Sequence, residues 1–155
     1  MGRTLKESFG TAQLPTCVLS TTRRTARLLT QLYDSFLNEH GIEAAQFALM
    51  MMVEGSADKS QTAIGKALGM EKTTLSRNLK LLRCKGWVES LRGEDARARE
   101  IALTKKGHEV LAAAKPAWKR AQAEVRAGMS EQEWETMWGS LWAMTRSVTK
   151  AARKT

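Results

Sequence analysis

A chain of 155 residues with 43% apolar side chains can bury a sizeable core, which excludes a disordered polymer and fits one folded unit with helical extensions. Its 25 Lys and Arg against 16 Asp and Glu give a net charge of +9, which favours a polyanionic partner such as nucleic acid. No apolar run reaches the roughly 18 residues of a membrane helix, no signal-peptide core opens the chain, and two distant cysteines form no disulfide framework, so a soluble cytoplasmic protein is expected.

In chain order, the polar segment before residue 14 is expected to be a flexible arm. From Pro15 onward Leu28, Leu29, Leu32, Tyr33, Phe36 and Leu37 recur at helical spacing until Gly41, which predicts one long helix. A second helix is expected from Glu43 to Glu54. Its Phe47, Leu49, Met50, Met51, Met52 and Val53 wrap most of the circumference, the pattern of a helix buried mid-domain. Ser60 is placed to cap a short helix through Ile64 and Leu68, and Gly69 can supply the positive φ of a tight exit. The following helix, from about Lys72 to Lys85, carries a stripe of Leu75, Leu79 and Leu82 and leaves its basic and hydroxyl residues on other faces. A short helix, a glycine turn and a basic second helix follow the helix-turn-helix pattern.

After Gly86 the period changes. Val88 to Leu91 and the alternating Ile101 and Leu103 predict two strands around the polar segment Arg92 to Ala98, a hairpin with a basic tip. Thr104 then caps a helix to about Ala127, in which Pro116 should produce a kink. Ser130 and Glu133 form the capping box of a last helix, with Trp134, Met137, Trp138, Leu141, Trp142 and Val148 along one side. So broad an aromatic stripe exceeds what a lone surface helix needs, and it is expected to pack on a partner subunit; a purely intramolecular core is the alternative. The expected fold is mainly α with a small β-hairpin wing. Residues 41–107 are expected to form a winged helix-turn-helix DNA-binding domain, with an arm and first helix over 1–40 and the C-terminal helices over 108–155.

The stretch from Lys59 to Lys106 holds 12 Lys or Arg against 5 Asp or Glu, so most of the excess charge sits on about a third of the chain. A helix fits the major groove of DNA, and a thin basic hairpin reaches the adjacent minor groove or the backbone. Lys72, Thr73, Thr74, Ser76 and Arg77 lie near the end that such a helix inserts. Arg77 has the fork that matches guanine N7 and O6, threonine methyls suit thymine, and Lys80 and Arg83 suit phosphates.

The run from Asp95 through Arg97 and Arg99 to Leu103, Thr104 and Gly107 resembles the D-x-R…L-T-x-x-G wing signature of the MarR family of regulators, and Ile64 to Arg77 is similar to that family's helix-turn-helix. The resemblance extends from Leu14 to Val148, with Glu43 and Glu71 departing from the helix-start residues common in the family. It implies that Arg97 enters the minor groove, that Asp95 orients the wing by pairing with an arginine, and that Arg99 supplies that pairing or meets a phosphate. It also implies a homodimer built from the first and last two helices, bound to a pseudo-palindromic operator.

The expected function is a sequence-specific transcriptional regulator, a repressor, released by a small aromatic or anionic ligand. Phe47, Met50, Met51 and Trp118 could line an apolar cleft at the junction of the lobes, with Arg23, Arg24 or Arg27 meeting a carboxylate. Two alternatives stand beside it. One is thiol sensing through Cys17 at the start of the first helix, against a reading of Cys17 and Cys84 as packed structural thiols. The other is an architectural protein that coats DNA without sequence preference. No paired carboxylates, metal-ligand spacing, phosphate-binding glycine loop or nucleophilic triad is present, so no enzyme activity, metal or cofactor is expected.

Overall fold

The apolar spacing that opens the chain forms a long helix, α1 (Val18–Leu37), followed by a single 3-10 turn (Asn38–His40). These elements come from a computed structural model that describes residues 17–56, 58, 60–92 and 99–152. The expected arm before residue 14, and Asp95 and Arg97 at the hairpin tip, lie outside the described residues. Gly41 ends the turn at φ 66°, a left-handed conformation that a side chain disfavours, and the chain reverses there. Helix α2 (Ala44–Gly55) gets no side-chain cap from its own N-cap residue, Glu43. Asp34 of α1 supplies it instead, its Oδ1 accepting from the Ala44 amide at 2.7 Å, where a carboxylate also meets the positive end of the helix dipole.

Helix α2 is the central element. Phe47, Leu49, Met50 and Val53 are buried on it, and around them gather Leu37, Ile64, Leu75, Leu79, Leu82, Val88, Ile101 and Leu111 from α1, the three helices that follow α2 and both strands, with Ile42 and Trp87 from the connecting turns. Burying each of the larger of these side chains is worth roughly 1.5–3 kcal/mol. Helix α3 (Gln61–Leu68) starts on Ser60, whose Oγ accepts from the Ala63 amide at 3.2 Å, and α4 (Lys72–Cys84) follows after Gly69 at φ 61°. Strands β1 (Val88–Arg92) and β2 (Arg99–Leu103) pair antiparallel, from Val88 opposite Leu103 out to Arg92 opposite Arg99, and Ser60 adds a single bridge to Glu100.

Thr104 joins β2 to α5 (Lys105–Ala127). Its hydroxyl accepts from the Gly107 amide at 3.0 Å and donates to the Gly86 carbonyl at 2.7 Å, so one side chain caps α5 and fastens it to the turn after α4. Helix α5 runs unbroken through Pro116, which is exposed, and presents fully buried Ala114, Ala117 and Ala121, small residues that let other helices approach closely. Helix α6 (Glu131–Ala152) opens with the expected capping box: Glu133 Oε2 accepts from the Ser130 amide at 2.8 Å, and Ser130 Oγ accepts from the Glu133 amide at 3.3 Å. It buries no residue within the chain.

The closest backbone approach is at Gly107. A Cβ there would stand 2.0 Å from the Trp87 carbonyl oxygen, an atom that accepts from the Thr104 amide and cannot withdraw. Gly107→Ala should therefore cost at least about 2 kcal/mol and lower the melting temperature by several degrees. Gly65→Ala, whose Cβ would meet the flexible end of Leu75 at 3.1 Å and the Met70 carbonyl oxygen at an ordinary 3.6 Å, should cost much less. Thermal melting of the two variants side by side checks the ranking, and equal losses would show that the Gly107 contact is not tight.

Candidate nucleic-acid interface and effector cleft

The start of α4 is held by α3. Gly65 is buried against Leu75, and the Gly69 and Met70 amides donate back to Lys66 O and Gly65 O at 3.2 and 2.9 Å, which closes the turn between the helices. With Leu75, Leu79 and Leu82 held in the core, Thr73, Ser76, Arg77 and Lys80 share the opposite, exposed face at i, i+3, i+4 and i+7. Lys72 is exposed at the helix start, and Thr74 is half-buried, less available than its neighbours. Arg83 is also half-buried, and its Nε is a buried donor that no hydrogen bond satisfies.

The hairpin follows α4 directly and projects away from the core. Its inner rungs carry buried Val88, Ile101 and Leu103, while Leu91 near the outer end is exposed. Arg99 occupies the outermost rung, opposite Arg92, where the strands lead into the 93–98 tip. An exposed basic helix face and an adjacent two-stranded hairpin are the shapes that suit a major groove and the minor groove beside it.

A cleft of about 710 Å³ opens between α1, α2 and α5. Phe47, Met51 and Trp118 line it as the sequence led us to expect, with Leu29, Thr30 and Tyr33 from α1. The Phe47 and Trp118 rings stack with centroids 6.0 Å apart and planes at 22°, which builds one aromatic wall. Met50 does not line the cleft; it is fully buried in the core. Nor do Arg24 and Arg27. At 3.6 residues per turn Arg24 falls on the side of α1 opposite Tyr33 and Arg27 about a third of a turn round, while Arg23 shares the side of Thr30 but lies about two turns before it, so none of the three expected partners for a carboxylate is among the lining residues. The polar groups of the wall are the Thr30 hydroxyl and the Tyr33 phenol, which donates to Gln122 Oε1 on α5.

Both cysteines differ from packed structural thiols, for Cys17 and Cys84 are free and exposed. Cys17 stands at the N-cap of α1, where hydrogen bonding from the Ser20 amide and then its hydroxyl holds the thiol below its usual pKa. Among the described residues no group of three His, Cys, Asp or Glu could hold a metal ion, and no helix is long and apolar enough to cross a membrane. His40 lies 3.2 Å from Glu39, which also pairs with Arg120, and His108 lies 3.7 Å from Glu54, which also pairs with Lys115. These clusters tie α5 to the α1–α2 corner and to α2.

A family model described as MarR family matches residues 40–98. The transcriptional regulator MosR of M. tuberculosis, solved in complex with DNA, is 34% identical, covering 87% of this chain and 98% of that one with a TM-score of 0.80. The S. aureus MepR–DNA complex superposes with a TM-score of 0.75 over 86% of this chain and 99% of that one at 23% identity, a likeness of fold. YwoH of Bacillus subtilis (strain 168), an uncharacterized HTH-type transcriptional regulator, is 29% identical over 82 residues, which span 53% of this chain and 60% of YwoH.

Tyr33 is the one tyrosine of the chain, so tyrosinate absorbance reports on the cleft alone. Burial raises its pKa above the ordinary value of about 10. Because the folded-state value is raised, the linked stability is fully present below about pH 10 and lost as pH rises through the folded pKa. A spectrophotometric titration should give a midpoint above 10, and Tyr33→Phe should abolish the transition. A midpoint at or below 10 would mean the phenol is not shielded.

Proposed function

This chain belongs to the MarR family of transcriptional regulators, and from that premise we propose that it binds a pseudo-palindromic DNA duplex as a cytoplasmic homodimeric repressor and releases it when an apolar ligand fills the cleft. The observation that carries the reading is the exposed face of Thr73, Ser76, Arg77 and Lys80, set beside a hairpin whose strands lead into Arg97. Arg77 reads a guanine edge, Thr73 and Thr74 a thymine methyl or phosphate, and Lys72, Ser76 and Lys80 hold the backbone. Arg97 enters a narrow minor groove, Asp95 orients the wing, and Arg99 meets Asp95 or a phosphate. MosR and MepR, both solved with DNA, support this docking.

The dimer follows from what a single chain leaves uncovered. Trp142 is 60% exposed and Val148 61% on α6, and Leu28 is 55% exposed on α1. Two helices with this much unburied apolar surface favour a second copy, and two-fold symmetry would then set the two α4 helices on a symmetric site. In this reading residues 1–40 and 108–155 dimerise and 41–107 read DNA. The ligand is apolar and aromatic, matched to the Phe47–Trp118 wall, with one hydrogen-bonding group for Thr30 or Tyr33 rather than a carboxylate. It acts by preferring one spacing of the two α4 helices over another. The exposure and lowered pKa of Cys17 favour a second trigger, oxidation of that thiol.

Selection of genomic fragments followed by footprinting tests the function. Protection of a two-fold site with half-site centres about one helical turn apart is expected. Uniform coating with no preferred fragment would favour the architectural alternative. On the selected duplex, Arg77→Ala should cost about 1–3 kcal/mol and relax one position, and Arg97→Ala should weaken binding and blunt preference for A·T pairs under the wing. Truncation before Ser130 should yield monomer or aggregate in sedimentation, and a stable dimer would move the interface elsewhere. Operator release by peroxide alone, lost in Cys17→Ser, would replace the ligand by the thiol.

A further inference from the structure

The turn between α4 and β1 carries a lysine that neither the charge pattern nor the family motif assigns. Lys85 is the C-cap residue of α4 and is half-buried. Its ammonium does not face outward with the basic surface. It donates to the Gly41 carbonyl at 3.0 Å and to Gln46 Oε1 at 3.1 Å, and it lies 4.3 Å from the centroid of the Trp87 ring. Two hydrogen bonds and an aromatic face satisfy the three N–H donors, so the charge has one geometry rather than many. Gln46 is 4% exposed, the one buried polar residue among those described, and the ammonium supplies the donor its side-chain oxygen needs.

The contact joins elements that the chain itself does not. Gly41 and Gln46 belong to the α1–α2 corner, whereas Lys85 terminates the helix whose outer face carries Arg77. The Lys85 carbonyl in turn accepts from Lys106 Nζ of α5 at 3.1 Å, and Gly86 O accepts from Thr104. The end of α4 is thus fastened to α2 on one side and to α5 on the other. Its start is held through α3. Leu75, Leu79 and Leu82 fix which face of α4 turns inward, and the clasp at its far end governs the remaining tilt, to which base-edge contacts are more sensitive than phosphate contacts.

We infer that Lys85 is a positioning residue for DNA readout: its clasp on Gly41 and Gln46 sets the angle of α4, and so governs discrimination between operator and other DNA without touching DNA itself. This rests on the reading of α4 as the recognition helix. Lys85→Met keeps the stem and removes the ammonium; Gln46→Met removes the acceptor, keeps its volume and leaves the lysine in place.

Both variants of the full-length protein would be titrated by fluorescence anisotropy against the duplex that wild type selects from genomic fragments and against an unrelated duplex of equal length, over a range of salt, with thermal melting alongside. Lys85→Met should bind the selected duplex about tenfold more weakly and the unrelated duplex as wild type does, with an unchanged salt slope. Gln46→Met should shift the same ratio in the same direction by about threefold, and the double variant should lose no more than Lys85→Met alone, as expected for one shared interaction. Should Lys85→Met not fold, Gln46→Met carries the test by the same ratio. Equal weakening on both duplexes with a salt slope reduced by about one would make Lys85 a phosphate contact and overturn the inference. An unchanged ratio with a lower melting temperature would overturn it too, as the mark of a purely structural role. Wild type that selects no duplex would fail the function itself, a result distinct from either.

Discussion

The approach of Gly107 to the Trp87 carbonyl is the constraint on which the arrangement of the molecule depends. At that point the start of α5 lies directly against the turn that follows α4, too close for any side chain. Everything fastened there follows: the Thr104 hydroxyl bridges Gly107 to Gly86, the Thr104 amide reaches Trp87, and Lys106 reaches Lys85. The end of α4, the root of the hairpin and the beginning of α5 are therefore one junction. Hydrogen bonds run from the start of α5 both to the end of α4 and to the root of the hairpin.

The molecule separates its two surface chemistries. Most of the excess positive charge falls between Lys59 and Lys106, the stretch that contains α4 and the hairpin, while among the described residues most of the uncovered large apolar side chains lie on α1 and α6. Charge repulsion between two DNA-binding bodies is smallest when they are held apart, and in the proposed dimer an interface made from the outer helices would do that. Since α6 has no fully buried residue within its own chain and only Trp134, Met137 and Met144 half-buried, much of its stability in the proposed dimer would come from association.

Helix α2 connects the two ends of the regulatory reading. Phe47 and Met51 face the cleft, and Gln46, next to Phe47, faces the other way onto Lys85. A ligand that wedges Phe47 away from Trp118 would act on a rigid helix whose neighbouring side chain holds the recognition helix. The apolar wall also decides what such a ligand is. Charged groups would lose hydration there with no cation among the lining residues to replace it.

Features set by neighbours along the chain were legible in the amino-acid pattern itself. The caps by Ser60 and Thr104, the Ser130–Glu133 box, the reversals at Gly41, Gly69 and Gly86, and the Leu75, Leu79 and Leu82 stripe each depend on residues within a few positions of one another, where helical and strand periods dictate geometry. The exposed Thr73, Ser76, Arg77 and Lys80 face follows from that same period once the leucines are placed. Contacts across many residues were not legible. Asp34 caps α2 from ten residues away, Lys85 reaches Gly41 across 44, and Gly107 must be glycine because of Trp87, twenty residues earlier. The sequence alone could not divide Met50 from Met51, or see that Arg24 and Arg27 miss the cleft, since composition names the residues near a junction but not the rotation of each helix about its axis. That rotation is decided only when all the helices pack at once, each burying the face that its neighbours leave open.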